Sequence, residues 1–237
     1  MKQSNKGLNN GVITLLVAAA ASLGVATAHA ATWVSGGYTY SEYGDGSSSV
    51  TVPVRVRWSS QAYALAVSSG WQQQDDGSSA LSDTFLSAAL YDLVWSDTCR
   101  CGADLQGGVK LPTADADVGT GETDVQAGAT VYRAFDRAFV FLSYDYRING
   151  DSATVDNVDY SLWSAGTVIR LTSPLSVGLF YDHSVAQSED VPDSDSVSAF
   201  LAWQASTSLV VKGFCSSSLS GDDEGAYSTG VALDFRI

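Results

Sequence analysis

The chain has 237 residues, 45% of them hydrophobic and 16% charged, and its 26 acidic residues against 12 basic ones give a formal net charge of −14. So acidic a chain lacks the basic face that would neutralise phosphates, which excludes nucleic-acid binding. The length suits one all-β domain behind a short leader.

Lys2 and Lys6 open the chain, and no residue charged at pH 7 follows before Glu42. Gly11 to Val25 is almost wholly apolar and leads into Ala28-His29-Ala30-Ala31. A basic start, a short apolar stretch and small residues at −3 and −1 predict a signal peptide over 1–30, cleaved after Ala30, with 31–237 as the mature chain. The alternative is an uncleaved anchor, for which the alanine-rich stretch is short and weakly apolar. Cleavage removes two lysines and no acid, moving the formal charge from −14 to −16. Nothing after residue 31 resembles a membrane helix. The exported chain is therefore either soluble or enters a membrane as a closed barrel, since only helices and closed barrels satisfy every backbone polar group in hydrocarbon.

From there the sequence alternates at period two, the pattern of half-buried strands. Val50, Val52, Val54, Val56 and Trp58 share one face, with Arg55 and Arg57 opposite. Twelve strands are predicted, at about 32–42, 49–58, 62–73, 84–96, 105–111, 123–133, 138–148, 159–171, 175–185, 195–205, 208–218 and 226–237. Short connections (59–61, 134–137, 172–174, 206–207) alternate with longer ones (43–48, 74–83, 112–122, 149–158, 186–194, 219–225), and 97–104 is intermediate. An even number of antiparallel strands with short periplasmic turns and long outer loops is the pattern of an up-and-down outer-membrane barrel. A soluble sandwich gives no reason for that alternation.

The two faces sort as well. Expected to face outward are Tyr63, Leu65, Val67 and Trp71; Phe85, Tyr91, Leu93 and Trp95; Leu175, Val177, Leu179 and Tyr181; and Val197, Ala199, Leu201 and Trp203. The opposite faces hold the pore-lining candidates: Arg55, Arg57, Asp92, Lys110, Asp145, Arg147, Arg170, Asp182, Lys212, Asp234 and Arg236. Periodicity alone does not say which face is inside. The aromatics favour a membrane barrel, because they gather near the strand ends as two interfacial belts. Trp58, Tyr63, Trp95, Tyr132, Trp203 and Phe235 lie by the short turns, and Trp71, Phe85, Tyr146, Tyr160, Trp163, Tyr181 and Tyr227 by the long loops.

The segment Gly108–Gly128, GVKLPTADADVGTGETDVQAG, breaks a strand at Pro112, which has no N–H for the ladder. It has no GK[ST] and no helix start to cradle phosphate, and its carboxylates do not follow the EF-hand spacing. It reads as an outer loop joining the fifth predicted strand to the sixth. Residues 105–128, LQGGVKLPTADADVGTGETDVQAG, resemble the "strand, Lys-Leu-Pro-Thr, acidic linker, Gly-Thr-Gly, Asp" signature of outer-membrane barrels grouped with the meta-pathway phenol-degradation transporters. The motif covers some 25 residues, and the rhythm of hairpins extends the resemblance over most of the mature chain. It implies a barrel that takes up small, often hydrophobic, compounds, and it brings no established binding residues. Barrels of this kind often end in Phe, where this chain ends in Ile237.

The remaining features are weighed against plain structural roles. Acidic residues crowd the long connections (Asp75, Asp76; Asp115, Asp117, Glu122; Glu189, Asp190, Asp193, Asp195; Asp222, Asp223, Glu224), as cation-gathering groups or as solvated loop tips. Charged lumen residues set the ion preference of a pore or close it with ion pairs. Twelve strands lie between filled barrels of about eight and open porins of about sixteen, and the reading taken is a narrow passage. Cys99 and Cys101 sit in one turn, where a disulfide between residues two apart is strained. Cys215 is expected to face lipid. His183, near the outer rim, is the one candidate base of a lipid-acting hydrolase, but no signature serine motif accompanies it. No cofactor motif is visible.

Together these features predict a passive, non-enzymatic channel in the bacterial outer membrane for small, hydrophobic or aromatic solutes. Its expected surroundings are membrane lipid, lipopolysaccharide and an assembly machinery that reads the C-terminal strand. The alternative is a barrel with a structural or surface-interaction role.

Overall fold

A computed structural model describes residues 30–114, 121–150, 158–187, 191–221 and 224–237. The expected leader, apart from Ala30, lies outside the described residues, as do Asp115, Asp117, Glu189, Asp190, Asp222 and Asp223 of the acidic loops. The described chain is all-β, with thirteen strands: β1 (Ala31–Glu42), β2 (Ser48–Ser59), β3 (Tyr63–Gln74), β4 (Ser79–Leu81), β5 (Thr84–Ser96), β6 (Cys101–Leu111), β7 (Asp124–Ala134), β8 (Ala138–Ile148), β9 (Tyr160–Arg170), β10 (Leu175–Ala186), β11 (Ser194–Gln204), β12 (Leu209–Ser218) and β13 (Tyr227–Arg236).

Twelve of these form a closed antiparallel barrel in which each strand pairs with the next. The ring is sealed by β1 against β13, from Trp33 opposite Arg236 to Glu42 opposite Tyr227. Closure leaves no open sheet edge, as a barrel in hydrocarbon requires. The thirteenth strand is β4, which folds back on the end of β3 with Leu81 opposite Trp71. It lies inside the expected long connection 74–83, and three residues are too few to show a period. The expected strand at 105–111 begins earlier, at Cys101. The connection before it shrinks to 97–100 and becomes short like the others at its end of the barrel. Arg100 turns the chain there with a left-handed φ of 52°. Cys99 and Cys101 are joined by a disulfide with their Cα atoms 5.2 Å apart.

The faces follow the inverted pattern. Large apolar side chains cover the exterior: Leu65 is 49% exposed, Leu179 55%, Leu201 49% and Val231 54%. Soluble monomers rarely expose contiguous apolar patches beyond about 600 Å2. Polar groups are enclosed instead, and Ser143 and Ser164 are among the most deeply buried side chains.

One strand reverses the expected assignment. In β5, Leu86, Ala88 and Leu90 are exposed on the outside, whereas Phe85 and Tyr91 face the lumen. The cause is the register. Phe85 is opposite Lys110, an enclosed cation, so both must point inward together. Trp95 is likewise opposite Gly102 and stacks near Tyr132, whose ring also lies inside, and Tyr160 hydrogen-bonds to enclosed Arg147. Phe85, Tyr132 and Tyr160 therefore leave the expected belts, while Trp95, on the lumen parity at the short-turn end, stays exposed. Trp58, Tyr63, Trp71, Trp163, Tyr181, Trp203, Tyr227 and Phe235 stand exposed.

Candidate functional site

The lumen holds the enclosed charges, and the strand register decides which of them meet. At the long-loop end, Lys110 on β6 is directly opposite Asp124 on β7, and Arg147 on β8 is opposite the next inward residue, Gln126. Lys110 Nζ lies 2.6 Å from Asp124 and 3.8 Å from Asp83. Arg147 donates to the same Asp124 carboxylate and, at 3.0 Å, to the Tyr160 hydroxyl. The Gly150 N–H donates to the other Asp124 oxygen at 3.1 Å. One buried carboxylate thus compensates two buried cations.

Further in, Asp145 accepts a hydrogen bond of 2.7 Å from Gln106, and Asp182 accepts one from the Ser164 hydroxyl. Lys212 and Asp234, on neighbouring strands, form a buried ion pair. Arg170 and Arg236 lie half-buried toward the short-turn end. Asp92 sits in the irregular stretch between Leu90 and Val94 with a left-handed φ of 52°, exposed, and its carboxylate reaches the Tyr132 hydroxyl. The regular inward face of β5 does not include Asp92.

Arg55 and Arg57 differ from the other lumen cations named here. Both project inward from β2, and among the described residues neither is in an ion pair. Arg57 donates to the Tyr91 hydroxyl at 2.5 Å, and the Arg55 Nε is buried with no hydrogen-bond partner. They border a cavity of about 260 Å3 that also touches Tyr91, Phe200, Phe214 and Asp234.

An aromatic ladder climbs the wall from β7 to β11 and was not foreseen from the sequence. Successive ring centroids are 5.1 Å apart for Tyr132 and Phe139, 6.2 Å for Phe139 and Phe141, 5.6 Å for Phe141 and Phe180, and 5.7 Å for Phe180 and Phe200. Glycine makes room for it. Gly166 is opposite both Phe141 and Phe180, and a Cβ there would strike both rings, coming within 2.8 Å of Phe141. Gly178 gives the same clearance to Phe200. The signal was in the parity: Phe141 alternates with Asp145, Phe180 with Asp182 and Phe214 with Lys212.

Outside the barrel, His183 Nδ1 lies 2.9 Å from Asp195, which also accepts from Tyr181 at 2.5 Å and Ser220 at 2.8 Å. The Ser220 hydroxyl contacts the carboxylate, and among the described residues no hydroxyl bonds the imidazole. Cys215 is free and exposed, on the same parity as Leu209 and Val211.

Neither protein-family models nor curated proteins give a match to this chain. Solved structures do. The outer membrane channel of group COG4313 from Pseudomonas putida F1 superposes with a TM-score of 0.70 at 12% identity, over 90% of this chain and 98% of that one. The KdgM porin, solved in complex with disordered oligogalacturonate, gives a TM-score of 0.59 at 8% identity, over 85% and 98%. The translocator domain of the autotransporter NalP from Neisseria meningitidis gives 0.58 at 11% identity, over 96% and 95%. At these identities the likeness is one of fold: a closed antiparallel barrel.

Proposed function

We propose that this chain is an outer-membrane barrel acting as a passive channel for small solutes, with hydrophobic or aromatic compounds as its class. The observation that carries this reading is the inversion of the barrel, apolar outside, with charged and aromatic side chains around an internal cavity. An apolar exterior is stable against lipid tails and costly against water. The similarity to an outer membrane channel and to a porin agrees with the reading, as does the resemblance of residues 105–128 to the phenol-degradation transporters. Export under a leader cleaved after Ala30, contact with lipid and lipopolysaccharide, and assembly through β13 complete the proposal.

The test is reconstitution of the mature chain. The channel reading expects discrete current steps in planar bilayers and entry of benzenesulfonate, which lipid alone holds back, into proteoliposomes. A second reading is a non-transporting structural barrel. It is favoured by the ion pairs and the ring ladder, which fill much of the interior. It predicts a folded barrel that gives neither steps nor influx.

A further inference from the structure

We infer that Arg55 and Arg57, with the rings around them, form a binding site for a small aromatic anion, a single ring bearing one acidic group. The inference rests on the channel reading for its place in the membrane, but the site is argued from its own geometry.

A buried cation without a carboxylate partner is costly, because desolvation is not repaid by an opposite charge. Elsewhere this lumen does repay it: Asp124 holds Lys110 and Arg147, and Asp234 holds Lys212. Arg55 and Arg57 lie two residues apart on one face of β2, like charges side by side, and neither is in an ion pair among the described residues; the Arg55 Nε, like that of Arg147, is buried without a hydrogen-bond partner. Five cationic side chains line the cavity against three carboxylates, and the cations still outnumber the acids when Asp124 is counted. This local excess occurs in a chain whose formal net charge is −14. An incoming acid would supply the missing partner, and a planar guanidinium suits a two-oxygen acid through paired N–H donors.

The rings specify the rest of the ligand. Tyr91, held by Arg57, and Phe85 border the cavity from β5, and Phe200 and Phe214 border it from β11 and β12. Aromatic faces and edges gain from stacked or tilted contact with another ring. The volume, about 260 Å3, falls below the roughly 300–1,000 Å3 typical of drug-sized sites, which favours one ring.

Equilibrium binding to the refolded barrel in detergent tests the site without asking for transport. Three probes, all charged at pH 8, separate its parts: benzoate, acetate and benzyltrimethylammonium. Benzoate should bind about tenfold or more tighter than either of the others. Arg55→Gln with Arg57→Gln should weaken benzoate by about tenfold, and Phe214→Ala by a smaller factor. Resistance to unfolding in cold sodium dodecyl sulfate verifies each barrel, and Arg55→Gln alone serves if the double variant does not refold. Benzoate binding no tighter than acetate, or unchanged in the arginine variant, overturns the site. Potassium chloride conductance of the same preparation separates the two proposals. Current steps without benzoate preference would sink the site and leave the channel; benzoate preference without steps would do the reverse.

Discussion

Two regions of the lumen wall handle the same residue types in opposite ways. At the long-loop end, Lys110 and Arg147 converge on Asp124, whose remaining oxygen takes the Gly150 N–H. On β2, Arg55 and Arg57 form no ion pair among the described residues, and Asp234, which borders the same cavity, is paired with Lys212. The first arrangement is a strut between β6, β7 and β8. The second is a pair of charges on the same cavity that no carboxylate among the described residues bonds. The difference teaches that an inward-facing charge is not by itself evidence of a pore lining. What distinguishes the roles is whether the protein supplies the partner.

The largest effect should come from breaking the strut. Asp124→Asn takes the only ion-pair partner found for Arg147 among the described residues and leaves Lys110 the longer contact to Asp83, and should cost about 3–5 kcal/mol, read as a lower urea midpoint for the barrel in lipid vesicles. An unchanged midpoint would mean that water already screens the rim cluster. Next comes the ladder between the two regions. Gly166→Ala forces the Phe141 and Phe180 rings apart and should destabilise by about 1–3 kcal/mol in the same assay. Smallest, and opposite in sign, is Arg55→Met. Removing a cation that has no partner should leave stability unchanged or raise it by up to about 1 kcal/mol. A loss as large as that of Asp124→Asn would show that Arg55 is structural, and the contrast between the regions would fall.

Much of this was legible in the sequence, and the reasons are specific. Strands such as β2, β3, β10 and β11 show one aliphatic face, so period two places them, together with the inward Arg55 and Arg57 of β2 and Asp182 of β10. β5 was misassigned because both its faces are apolar: Leu86, Ala88 and Leu90 on one, Phe85, Ala89 and Tyr91 on the other. Only the register with Lys110 decides between them, and register is a property of two strands. The phenylalanine ladder was missed for a related reason. Of the ladder only Tyr132 is assigned from the sequence, to a lipid belt, although the parity that Phe141, Phe180 and Phe214 share with enclosed charges marks them as inward. Which cations are compensated was not legible at all, because Asp124 on β7 meets Lys110 on β6 and Arg147 on β8 across strands rather than along one.

The account as a whole turns on whether ions travel through this lumen past the β2 arginines. The most direct measurement is the reversal potential of the reconstituted barrel across a potassium chloride gradient, compared with that of the Arg55→Gln, Arg57→Gln variant. The account predicts a measurable current whose reversal potential moves toward cation preference when the two arginines are neutralised. A folded barrel that carries no current, or one whose reversal potential stays fixed in the variant, would contradict it.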